Sequence, residues 1–195
     1  MKKRIVIIIV LALFLVLGVV FFNYAHHVTG ETLLTPTPAP WQPARLQIPA
    51  LSIDAPVMSV GQTSTGSMYA PTSKAHNSPY WTSAFWYNKG AAPGQAGNVV
   101  IAGHVDRVGG DPAVFWSLGS LRPGDPITLT TVQGSVFHYV VDGQASYPAS
   151  YPSQDAINTV FGPTSAHHLN LITCSGVWTG NGYDQRLVVF ATQVE

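Results

Sequence analysis

The chain is read as an all-β domain behind an apolar N-terminal segment. Three observations lead there. Short β-branched runs recur between turn residues, as strands require. Glycine and proline are spread along the whole chain, 18 and 15 of them in 195 residues, which interrupts long elements. No long stretch carries the 3.6-residue apolar period of an amphipathic helix.

Residues 1–25 begin with Lys2, Lys3 and Arg4, followed by an unbroken apolar run from Ile5 to Phe22. As a helix that run is about 27 Å long at about 1.5 Å per residue, close to the thickness of a bilayer core. A cleaved signal peptide has the same charged start but a shorter apolar core and a small-x-small cleavage site. "NYA" before His26 matches such a site poorly, so a transmembrane anchor is the expectation. The basic start then stays in the cytoplasm and the rest lies on the extracytoplasmic side. Residues 26–43 contain Pro36, Pro38 and Pro40 among threonines, a composition that reads as an extended, fairly stiff spacer.

Residues 44–195 remain for one folded domain. "RLQIP" and "APVMSV" open it as strands. A third strand runs from Asn98 to Ala102 and ends at Gly103. Asp111, Pro112 and Gly119 suit the cap, first position and end of a short helix. Ile127 to Val132 and Ser135 to Val141 form a hairpin across Gln133-Gly134. Ser153 caps a second short helix that ends near Gly162 and Pro163. "LNLITC" and "RLVVFATQV" are the last strands. This set points to a closed barrel or a sandwich, and closure would remove exposed edges.

Charge excludes some functions. Only 9% of residues are charged and the net charge is zero, so no basic patch serves nucleic acid. A single cysteine, Cys174, makes neither an internal disulfide nor a cysteine-built zinc site. Neither a metal nor another cofactor is expected.

Cys174 ends an apolar run, and a thiol needs a base or cation beside it to act as a nucleophile. His104 closes "VVIAGH", and Arg186 opens the last run as the only Lys or Arg after Arg122. If the last two runs are antiparallel neighbours, Cys174 closes one strand and Arg186 opens the next, joined by a loop from Ser175 to Gln185. Alternation puts Asn170, Ile172 and Cys174 on one face and Leu169, Leu171 and Thr173 on the other. Taken singly, each residue also has an ordinary reading. A lone strand cysteine is commonly an inert core residue, and Arg186 has Asp106 or Asp184 as surface partners. His167 and His168, near the cysteine run, compete with His104.

"NVVIAGHVD", "LNLITCSG" and "YDQRLVVFA" resemble the histidine, cysteine and arginine motifs of sortases, membrane-anchored cysteine transpeptidases. The family pattern Thr-Leu-x-Thr-Cys stands here as Asn170 to Cys174, with Asn in first place. "RLQIPALSIDAPV", "PGQAGNVVIAGHVD" and "DPAVFWSLGSLRPGD" look closest to class F, with class E as neighbour. The resemblance spans residues 44–193. It implies an eight-stranded β-barrel with short helices, with Cys174 as nucleophile, His104 as proton donor and acceptor, and Arg186 as ligand of substrate carbonyls and oxyanion. It implies a donor that is a secreted protein with an LPxTG-like C-terminal sorting signal. The implied acceptor is an amine of a cell-wall precursor or a pilin-like subunit. By the same resemblance Ala156, Ile157 and Val160 would line a pocket for the signal, with Thr173, Trp178 and Tyr183 as further substrate contacts. Two rivals stand beside this reading: a non-catalytic binding module on a β-barrel, and an L,D-transpeptidase, whose His-Gly-Cys pattern "ITCSG" lacks.

Overall fold

A computed structural model describes Ala39 and residues 41–195. The expected transmembrane segment lies outside the described residues, as does the linker apart from its last positions. Eight strands close into one barrel: β1 (Pro43–Ile48), β2 (Ile53–Val60), β3 (Ala84–Tyr87), β4 (Gly97–Gly103), β5 (Pro126–Thr131), β6 (Val136–Pro148), β7 (His167–Trp178) and β8 (Tyr183–Val194). Around the barrel the order is β1-β2-β3-β4-β7-β8-β6-β5. Closure leaves no open edge for pairing with another chain. The sheet is mixed, because β2–β3 and β4–β7 pair parallel. Among the described residues one α-helix, α1 (Gln154–Phe161), lies between β6 and β7.

The interior follows from strand alternation. Leu46 and Ile48 of β1, Val99 and Ile101 of β4, Leu169 and Leu171 of β7, and Val189 and Ala191 of β8 share one buried core. Two strands are also covered on their outer face. Val100 and Asn170 are as buried as the interior residues, and α1 is what lies over them. Ser153 caps α1 as expected, its hydroxyl accepting from the Ala156 amide at 3.1 Å. The cover is fastened by two buried asparagines. Asn170 Nδ2 donates to the Val160 carbonyl at 2.8 Å and to Asn98 Oδ1 at 3.1 Å. Asn98 Nδ2 donates to the Gly162 carbonyl at 2.7 Å.

The hairpin across Gln133-Gly134 forms, with Gly134 at φ +86°, where a Cβ would be strained. Its second strand runs on to Pro148, because β6 pairs with β5 first and then with β8. The helix expected from Asp111 to Gly119 does not form. The amides of Ala113, Val114 and Phe115 donate to the carbonyls of Val105, Trp81 and His104 at 2.8–3.0 Å. The Phe115 amide, which would close the first turn onto the Asp111 carbonyl, is thereby taken, and only a 3-10 turn (Leu118–Ser120) forms. Asp111 caps nothing and instead meets His76 Nε2 at 2.7 Å. β3 is a strand the sequence reading lacks.

Candidate active site

Register brings the three candidate residues together. The parallel β4–β7 ladder pairs Gly97 with His167 and Ala102 with Ile172, a constant offset of 70 residues. Continued two residues further, it sets His104 opposite Cys174. The Thr173 hydroxyl confirms the alignment there, donating to the Gly103 carbonyl at 2.9 Å. On the other side of β7, the antiparallel ladder pairs Cys174 with Arg186. Histidine, cysteine and arginine therefore stand in a row across β4, β7 and β8, at neighbouring-strand spacings of about 4.8 Å. All three line one groove of about 380 Å³ on the outer face of the barrel.

The walls are mostly apolar. Ala156, Ile157, Val160 and Phe161 of α1 form one side. Ser67, Met68 and Ala70 contribute from the long crossover between β2 and β3. Thr173 is also at the groove, although its hydroxyl is occupied by Gly103. Trp178 and Tyr183 do not line it. β7 does not stop at Cys174 but continues through a bulge to Trp178, paired with Tyr183, so the connecting loop is short. In that extension the two rings pack edge to face at 5.4 Å. Trp178 is 58% exposed.

His104 is clamped. Its ring lies against Trp81 and Phe85, with centroids 4.9 and 5.5 Å away. Nε2 is 2.7 Å from the Pro71 carbonyl, an acceptor only, so Nε2 carries the proton. Nδ1 is left for other chemistry. Gly103 before it has no room for a side chain, since a Cβ would come within 2.4 Å of the Phe115 ring. His167 and His168 lie at the opposite end of β7, roughly 20 Å from Cys174 at about 3.3 Å per residue.

Electrostatics at the sulfur oppose one another. Burial pushes the Cys174 thiol up, the Arg186 charge lowers it, and the Asp106 charge raises it, with a net upward shift. Arg186 pairs with neither carboxylate open to it in sequence. Its Nη1 donates to the carbonyls of Gln185 and Tyr183, at 2.8 and 3.1 Å. Asp184 accepts from the Val177 amide at 2.7 Å, and Asp106 accepts from the Tyr183 hydroxyl at 2.7 Å. Pro71 and the bond from Tyr183 to Asp106 are the parts of the site that sequence reasoning missed; the sequence offers Asp106 only as a surface partner of Arg186.

Among the described residues no cluster of His, Cys, Asp and Glu is arranged to hold a metal. The arrangement offers a nucleophile, an imidazole and an unpaired guanidinium around an apolar trench, a set suited to acyl transfer.

Comparison with known proteins agrees with the fold. Solved structures of similar shape include sortase A from Corynebacterium diphtheriae, at 20% identity and a TM-score of 0.56 over 77% of this chain and 60% of that one. The present chain thus spans less than two thirds of that relative. A sortase D5 transpeptidase from Clostridium perfringens matches at 20% identity and a TM-score of 0.56, covering 79% of both chains. A pilus-related sortase C of Group B Streptococcus matches at 15% identity and a TM-score of 0.58, over 81% of this chain and 70% of that one. At such identities these likenesses establish the fold. No curated protein sequence matches the chain. The sortase domain family matches residues 46–194, from β1 to the last residue of β8. With the barrel, the strand order and that match in hand, the chain is a member of the sortase family.

Proposed function

We propose that the protein is a membrane-anchored cysteine transpeptidase that cleaves an LPxTG-like sorting signal and transfers the protein to an amine. The supporting observation is the row of His104, Cys174 and Arg186 on β4, β7 and β8, all opening into one groove.

Cys174 Sγ attacks the Thr carbonyl carbon of the signal. The S–C bond forms, and the thiol proton passes to His104. Arg186 faces the carbonyl oxygen, where a fixed cation stabilises the developing oxyanion more than the neutral ground state. The C–N bond to Gly then breaks, and His104 gives its proton to the departing amine, which leaves poorly without it. In the second half an acceptor amine attacks the thioester. A new C–N bond forms, the S–C bond breaks, and His104 takes the amine's extra proton. Water in place of the amine gives hydrolysis. The Leu and Pro of the signal lie against Ala156, Ile157 and Val160. The acceptor is a cell-wall precursor amine or a Lys of a pilin-like subunit. Within the family we read the chain as class F, on the motifs from "RLQIPALSIDAPV" to "DPAVFWSLGSLRPGD". The apolar run from Ile5 to Phe22 is the proposed anchor, with the barrel outside the membrane.

The test is a library of labelled LPxTG-like peptides with hydroxylamine as acceptor, read by mass spectrometry. The wild type converts at least one peptide to a hydroxamate. His104→Ala lowers that rate by at least about 100-fold, the scale of a lost general acid–base. A His104→Ala rate near wild type would remove the imidazole from the reaction.

A further inference from the structure

Arg186 serves substrate only while its guanidinium stays free of carboxylates. Two acidic residues are near it. Asp184 is two residues away on β8, and Asp106 follows β4 on the far side of the cysteine. Each is held by a neutral donor instead, Asp184 by the Val177 amide and Asp106 by the Tyr183 hydroxyl. The first restraint is local to the β7–β8 hairpin. Adding a Cβ at Gly176, which sits at φ +85°, would bring it within 2.1 Å of Asp184 Oδ1, so the bulge is built around that carboxylate. The second restraint is long-range. Tyr183 belongs to β8, and it reaches across the end of β7 to the loop that carries His104. The same residue holds both parties, because its own carbonyl accepts from Arg186 while its hydroxyl donates to Asp106.

We propose that Tyr183 is a positioning residue that keeps the Asp106 carboxylate from pairing with Arg186, so that the guanidinium remains available at the groove. This rests on the reading of Arg186 as the substrate and oxyanion ligand. It replaces the expectation that the Tyr183 ring contacts substrate. Without the hydroxyl, an ionised Asp106 is left to seek another donor, and a charge-assisted fork with Arg186 is the alternative that would act on the groove. Such a pair would cancel the cation at the sulfur.

Charge at Cys174 reports this state. The ionisable groups facing Cys174 are His104 and Asp106 after β4, Tyr183 and Arg186 on β8, and Tyr147 on β6. The crossover segment and α1 contribute no ionisable side chain to the groove lining. Arg186 and Asp106 already act on the sulfur in opposite senses. The experiment follows iodoacetamide alkylation of the single cysteine against pH, on the full chain and with no peptide present. Tyr183→Phe shifts the alkylation midpoint upward by about one pH unit, as when a neighbouring cation is neutralised. Tyr183→Phe/Asp106→Asn returns it to the wild-type midpoint or below. Asp106→Asn alone moves it down. Peptide transfer falls about 10-fold in Tyr183→Phe and recovers in the double variant, a shift of the size expected for about 1.4 kcal/mol at the barrier.

A merely structural tyrosine would not be rescued by removing the charge on its partner. An unmoved midpoint in Tyr183→Phe, a defect that persists in the double variant, or no change in Asp106→Asn would each overturn the proposal. Arg186→Ala separates this proposal from the reading beneath it. If Arg186→Ala transfers peptide normally, the assigned role of Arg186 fails, whatever the alkylation cycle reports about Asp106.

Discussion

Cys174 sits where burial and two charged neighbours pull its proton in different directions. Desolvation and Asp106 favour the neutral thiol, and Arg186 favours the thiolate. The balance lies on the neutral side, so the thiol keeps its proton to higher pH than a free cysteine does. The alkylation rate therefore climbs with pH to a midpoint above that of a free cysteine. Arg186→Ala removes the one lowering influence and moves the midpoint higher, by about one unit. Arg186→Lys keeps a cation and moves it less. An Arg186→Ala midpoint at or below wild type would mean the guanidinium does not act on the sulfur. His104, Cys174 and Arg186 were legible in the sequence because each ends or opens an apolar run beside a recognisable motif. Their restraints were not. The Pro71 carbonyl on His104 and the Tyr183 hydroxyl on Asp106 join residues 33 and 77 positions apart, and only the barrel's register brings them together.

Among the elements, α1 is the one whose placement shapes the groove, and it is held from beneath by side chains of β4 and β7. Asn170 departs from the Thr of the family pattern, and its amide donates to both the Val160 carbonyl and Asn98. Asn170→Ala leaves those acceptors unpaired in a buried place, at a cost of about 1–3 kcal/mol. Urea unfolding should show that loss, with KM for peptide rising more than kcat falls, because α1 is a groove wall. Unchanged stability would mean the helix is held by apolar packing alone. Hairpin β5–β6, α1 and the cores of β4, β7 and β8 were readable, because caps, turn residues and β-branched runs are local signals. β3 was not, since "AFWY" has no alternation: Ala84, Phe85 and Trp86 are all buried. The extension of β6 through "DGQASYP" was hidden by its polar composition. The misread helix at Asp111 had good local signals that were overridden by tertiary bonds to its amides.

At the scale of the molecule, barrel order does what no single motif can. β4 and β8 are separated in the chain by four elements, yet both flank β7. That arrangement sets an imidazole and a guanidinium on either side of one sulfur. A barrel or sandwich was readable from the run lengths. The strand order was not, because parallel pairings such as β4–β7 join residues about seventy positions apart and leave no local trace. The central claim is that this convergence performs acyl transfer through sulfur, and intact-mass measurement after incubation with the best LPxTG-like peptide, without an amine acceptor, tests it most directly. The account predicts a peptide adduct on the wild-type protein, located to Cys174, cleared by hydroxylamine and missing from Cys174→Ala. Peptide turnover in Cys174→Ala, or turnover by the wild type with an adduct on another residue, would contradict it.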